Sequence, residues 1–134
     1  MKCNPVDDIL DKLQELGFGT RGRTLLKSIT YERRNNGQEW IRVYSMPGAV
    51  PPEPLSEVDT TRIGFEVCGG IGEEGDTKGG QTAMRLYQAM ELITWDGYLR
   101  IVMDGPPTAS VQGDKTVYNW TADIIRYYGG IICH

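Results

Sequence analysis

Histidine is almost missing from this chain: the one present, His134, is its last residue. A serine or cysteine nucleophile needs an imidazole fixed by a third group, and chain ends fray. Triad chemistry is therefore excluded at this level, and His134 reads as a solvated tail. Cysteine is scarce too. Cys3, Cys68 and Cys133 are odd in number and far apart, without the spacing of a disulfide framework or of half a zinc site. They are expected to be free thiols used as small core residues, and no metal or other cofactor is expected. No apolar run approaches the roughly 20 residues that span a bilayer, so no membrane association is expected. Met1 to Asp11 lacks the apolar stretch of a signal peptide and holds three aspartates, so a cytoplasmic location is expected.

Positive charge is in deficit. The net charge is −4, which speaks against general nucleic-acid affinity. Its distribution is uneven. From Gly17 to Met46, Arg21, Arg23, Lys27, Arg33, Arg34 and Arg42 outnumber Glu32 and Glu39. From Pro47 to Asp76 the acids Glu53, Glu57, Asp59, Glu66, Glu73, Glu74 and Asp76 face only Arg62. Neighbouring segments that neutralise one another explain this, since charge on a surface is ordinary. The sharper reading is an acidic face on which Glu53, Glu57, Asp59, Glu73, Glu74 and Asp76 meet a protein partner.

What is present suffices for a fold. Residues 1–134 read as a single domain that buries about two-thirds of its unfolded surface, with 40% hydrophobic and 24% charged residues. Pro5, Asp7 and Asp8 open a helix on which Val6, Ile9, Leu10, Leu13 and Leu16 share a face, and Gly17 ends it. Thr24 to Arg33 and Gln38 to Met46 are predicted to form a hairpin about Asn36-Gly37. Its register would put Ile29, Tyr31, Trp40 and Tyr44 on one side. Pro47 to Thr61, with four prolines, reads as a long connection. Arg62 to Cys68 alternates as a strand. Gly69 to Gly80 holds six glycines and is predicted to be a loop.

Gln81 to Ile93 follows as a helix, and Tyr98 to Asp104 as a strand. Lys115 to Trp120 is read as a strand paired with Ala109 to Gln112 around Gly113-Asp114, with a short helix from Thr121. The expected class is α+β: a mostly antiparallel sheet of four to six strands with two or three helices packed on one face. Short strands also leave open a homodimer through a sheet edge.

Most motif matches fail on context. Gly17-Phe18-Gly19-Thr20-Arg21-Gly22 has the G-x-G-x-x-G spacing. A dinucleotide site needs that string between a strand and a helix, and here the order is reversed. Gly70 and Gly75 are spaced as in a phosphate loop, but Asp76 stands where lysine is required. A weaker possibility survives at Thr77, Lys78, Gly79, Gly80 and Thr82. Free amides at the start of a helix, with a lysine and two hydroxyls, suit a small anion; a flexible loop with a capping threonine explains the same residues.

Glu66, Glu73, Glu74, Asp76, Asp96 and Asp104 offer carboxylate pairs for a small hydrolase or transferase, with no spacing that singles one pair out. Trp40, Tyr31 and Tyr44 with Arg33, Arg34 and Arg42 would make a single-strand platform on the 24–46 hairpin if the rings were exposed. The reading chosen from sequence is a non-catalytic binding module. It would be an acidic inhibitor or immunity-type protein, or one that sequesters a small ligand in a glycine-lined pocket.

Overall fold

The computed structural model describes residues 5–46, 58–92 and 98–127. Its elements are α1 (Pro5–Glu15), β1 (Leu25–Leu26), α2 (Tyr31–Asn35), β2 (Trp40–Ser45), β3 (Val58–Ile71), α3 (Gly72–Leu92), β4 (Tyr98–Gln112) and β5 (Lys115–Tyr127). The strands form one sheet in the order β1-β2-β3-β5-β4. β1 runs parallel to β2, and every other pairing is antiparallel. The chain is thus α+β, with five strands, mostly antiparallel, and three helices.

Period-two alternation decides which side of the sheet is buried. Val43 stands opposite Phe65, Phe65 opposite Trp120, and Ile63 opposite Ala122. These residues, with Ile41, Val67 and Ile124, form one buried layer. Helix α1 covers it with Val6, Ile9, Leu10 and Leu13, and α3 with Ala83, Leu86 and Met90. Both sets recur at three- and four-residue steps, the spacing that lines up one helical face. The alternate residues Trp40, Arg42, Glu66 and Val117 point to the opposite face. There Trp40, Cys68 and Val117 make a second, smaller buried cluster against Leu26 and Ile29.

Four local expectations are corrected. The hairpin between residues 24 and 46 does not form. Thr30 caps α2, its Oγ1 accepting from the Arg33 amide at 3.2 Å. Asn36-Gly37 turns the chain as expected, with Gly37 at φ 81°, but leads out of that helix. β2 finds its antiparallel partner in β3, a longer strand with a complementary apolar alternation. With no buried residue of its own, α2 is held by polar contacts: Arg34 on Glu66, and Asn35 accepting from Lys115 Nζ at 2.8 Å.

The second correction is the glycine segment, which enters α3 at Gly72. Gly75 and Gly79 are buried in that helix because β3 crosses at backbone distance; a methyl group on Gly69 would collide with both. The glycines are there for closeness, at a cost near 1 kcal/mol each in helix propensity. The third correction is at Thr121, where no helix begins. β5 continues to Tyr127 because β3 runs alongside as far as Val58, and Trp120, Ala122 and Ile124 alternate inward. The turn at Gly113-Asp114 and the pairing of Ser110 with Val117 are as expected. Of the proline-rich connection read from Pro47 to Thr61, residues 58–61 are instead the start of β3, where they pair with β5; residues 47–57 lie outside the described residues, as do Cys3, Asp96, Cys133 and His134.

The glycine string after α1 has a structural use. Gly17 takes φ 87° and Gly22 φ 85°. The turn between them presents Arg21 to Asp7 at 2.8 Å and Asp11 at 2.6 Å. The Asp7 carboxyl lies below its ordinary range, mainly through its hydrogen bond to Lys27; burial opposes this and Arg21 adds to it. A carboxyl lowered in the folded state stabilises the protein above its unfolded value of about 3.9, and that contribution drains away as pH falls through the folded value. The double variant Lys27→Met/Arg21→Met should therefore lose less stability than the parent between about pH 5 and pH 3. Urea midpoints across that range test this; parallel pH profiles would refute it.

Candidate ligand cavity

Helix α3 carries two adjacent stripes. One, Ala83, Leu86 and Met90, enters the core. Beside it run Lys78, Thr82 and Arg85, spaced four and three residues apart and so stacked on one side of the helix. These three border a cavity of about 150 Å³ between α3, the turn after α1, and the ends of β2 and β3. Gly17, Phe18 and Thr24 close it on the turn side. Ile41 and Val67 form its floor, with Trp40, Cys68 and Gly69 beside them along the two strands. The sequence contributes each part simply: apolar strand positions make the floor, a helical stripe brings the cations, and glycines let the walls approach.

Its charges are unevenly satisfied. Lys78 Nζ contacts Glu39 Oε2 at 2.6 Å across the mouth, with side chains 58% and 47% exposed. An ion pair that exposed contributes about 0–1 kcal/mol. The Arg85 guanidinium lies over the Phe18 ring at 5.3 Å and makes no ion pair among the described residues. Burial pushes the Cys68 thiol above its ordinary value, and its Sγ leans on the Gly70 carbonyl at 3.8 Å. It is therefore a neutral thiol and not a thiolate, and its side chain belongs to the cluster with Trp40 and Val117. Trp40 is 1% exposed, and its Nε1 has no hydrogen-bond partner among the described residues.

The residues singled out from sequence fall differently than their spacing suggested. Thr77, Lys78, Gly79, Gly80 and Thr82 lie inside α3 and not at its first turn, so their amides serve the helix ladder. Of the five, Lys78 and Thr82 reach the cavity, while Gly79 packs on Gly69 and Gly80 on the Tyr118 ring. Glu73, Glu74, Thr77, Lys78 and Gln81 share an open depression on the outer side of the helix. Acids and lysine assigned to separate sites thus occupy one mixed surface. Asp76 is committed elsewhere: its Oδ1 accepts from the Thr116 amide at 3.0 Å. Glu53, Glu57 and the Asp59 side chain lie outside the described residues. Nothing local in the sequence marks Arg85; its one signal is its place seven residues after Lys78.

A second charged cluster sits on the opposite sheet face. Glu66 receives Arg42 at 2.6 Å and Arg34 at 3.2 Å. Arg34 also covers the Trp40 ring at 4.8 Å, and Arg42 the Tyr44 ring at 4.1 Å. The two cations share one carboxylate, and each is seated on an aromatic ring; through Arg34 this fixes α2 to the sheet. The ring platform proposed for single strands is not assembled: Trp40 is buried, while Tyr31 is 81% exposed on α2. No group of acids, cysteines or histidines suited to a metal ion occurs among the described residues. None of their helices is long and apolar enough to cross a membrane. No known protein family matches the chain, and no curated protein is significantly similar to it.

Proposed function

We propose that this domain is a non-catalytic binding module that sequesters a small anionic ligand in the cavity flanked by Lys78, Thr82 and Arg85. One observation carries the reading: a cationic helical stripe borders a partly enclosed cavity whose floor is apolar. Ligand sites have that composition, an apolar body with a few convergent polar groups. Cys68 is a free, protonated thiol and Glu39 is engaged by Lys78, so the lining favours holding a ligand over transforming it. A free thiol also fits the reducing cytoplasm in which we place the protein.

A ligand at 100 times its Kd adds about 2.7 kcal/mol of stability, which raises the melting midpoint of a chain this size by several degrees. Screening phosphate, sulfate, acetate and benzoate by thermal shift should identify at least one stabilising anion. That rise should vanish in the double variant Lys78→Met/Arg85→Met. If no anion moved the parent midpoint, or if the double variant responded equally, the reading would be wrong.

A further inference from the structure

The lysine at the cavity already carries a carboxylate, and it is the protein's own. Glu39 lies on Lys78 at 2.6 Å, at the mouth of a cavity that both side chains border. From this, and resting on the cavity reading above, we infer that Glu39 is a stand-in for the ligand's charged group, and that the ligand is a small monocarboxylate with a flat apolar body. Binding exchanges one carboxylate for another. The ligand's carboxylate takes Lys78, Glu39 swings into solvent, and the apolar body fills the space against Phe18, Ile41 and Val67.

Three features converge on that class. The first is charge. Lys78 holds one carboxylate of single negative charge, and exchanging it for a ligand carboxylate of the same charge leaves the balance at the mouth as it stands. The second is size, since a cavity of about 150 Å³ holds a ring of about six heavy atoms. The third is cost. Glu39 and Lys78 are each about half exposed, and parting such a pair costs about 0–1 kcal/mol. Arg85 has no ion pair among the described residues and supplies the second cation to the incoming carboxylate. The Thr82 hydroxyl, on the same stripe, is available to its other oxygen.

Isothermal titration of the full chain with benzoate, benzyl alcohol and inorganic phosphate tests the inference. Benzoate should bind at least about tenfold more tightly than the other two, a difference of about 1.4 kcal/mol. Glu39→Gln should tighten benzoate by about two- to fivefold, because the competing carboxylate is gone. Lys78→Met should weaken it by more than about tenfold. Phosphate binding as tightly as benzoate, and still lost in Lys78→Met, would overturn the carboxylate class while leaving the anion cavity standing. Benzoate affinity unchanged or weakened in Glu39→Gln would overturn the stand-in role. Absence of heat from all three probes, with no thermal shift in the wider panel, would remove the cavity reading itself.

Discussion

Phe65→Ala should destabilise the domain by about 4 kcal/mol, a large share of the roughly 5–15 kcal/mol expected in total. Phe65 is fully buried in the middle of β3, with Val43 and Trp120 as its cross-strand neighbours. Its ring stacks on Trp120 at 5.0 Å with only 7° between the planes. Tyr87 of α3 meets the same indole edge-on at 6.0 Å. Truncation removes the transfer free energy of the ring and leaves a cavity that two helices and a sheet cannot fully close. It also removes an aromatic pair worth about 0.5–1.5 kcal/mol beyond burial.

Trp120 then has little to orient it. Its Nε1 is buried without a hydrogen-bond partner among the described residues, so ring packing alone holds the indole. A lower urea midpoint should therefore come with a weakened near-ultraviolet dichroism band and a red-shifted emission. Ile63→Val, also at a fully buried position on β3, is the control and should cost only about 1 kcal/mol. A loss below about 1 kcal/mol for Phe65→Ala would mean that β3 is not the centre of the core.

Gly69→Ala is expected to cost about 3 kcal/mol, although it adds one methyl group. The Gly69 backbone lies outside the left-handed region, so alanine meets no dihedral penalty there. The cost is purely spatial. Its methyl would strike the backbone of Gly75 and Gly79, which cannot move unless α3 lifts from the sheet. Gly80→Ala is the matched contrast. Its methyl would meet the Tyr118 hydroxyl at 3.1 Å, a side-chain end that needs to give by only a few tenths of an ångström, at the expense of its 3.2 Å hydrogen bond to the Asp76 carbonyl. With a helix-propensity gain of up to about 1 kcal/mol in its favour, the net change should stay within about 1 kcal/mol. Urea denaturation of both variants decides the matter. Equal stabilities would mean that α3 is not seated by glycine contact. Because Gly69 also borders the cavity, Gly69→Ala should weaken the proposed anion binding as well.

The same glycines show where sequence reading stopped. Six in twelve residues signal a breaker when read along the chain. Across the chain they are the narrow side of a helix–strand contact, and that meaning exists only once β3 and α3 lie together. The hairpin failed for a related reason. Asn36-Gly37 correctly marked a turn, but a turn signal does not say which elements it joins. Thr30, with Glu32 in the following turn and arginines after it, is a fair capping pattern. Read locally, the β-branched and aromatic residues around it outweigh that pattern. Lys78 and Thr82 lie on a helix stripe that borders a cavity, and not among free amides at a helix start.

The sequence by itself determined the class of the fold and much of its core. Those features depend on local periodicity, with apolar residues at helical steps in α1 and alternating in β3, and that periodicity is written within a few residues of each position. Tertiary structure alone decided that β2 pairs with β3, that Asp76 turns to Thr116 while Glu73 and Glu74 stay exposed, and that Arg85 joins Lys78 over an apolar floor. A cavity is a property of surfaces that are distant in the chain: Phe18, Glu39, Val67 and Arg85 become neighbours only when close packing brings four separate segments to one place.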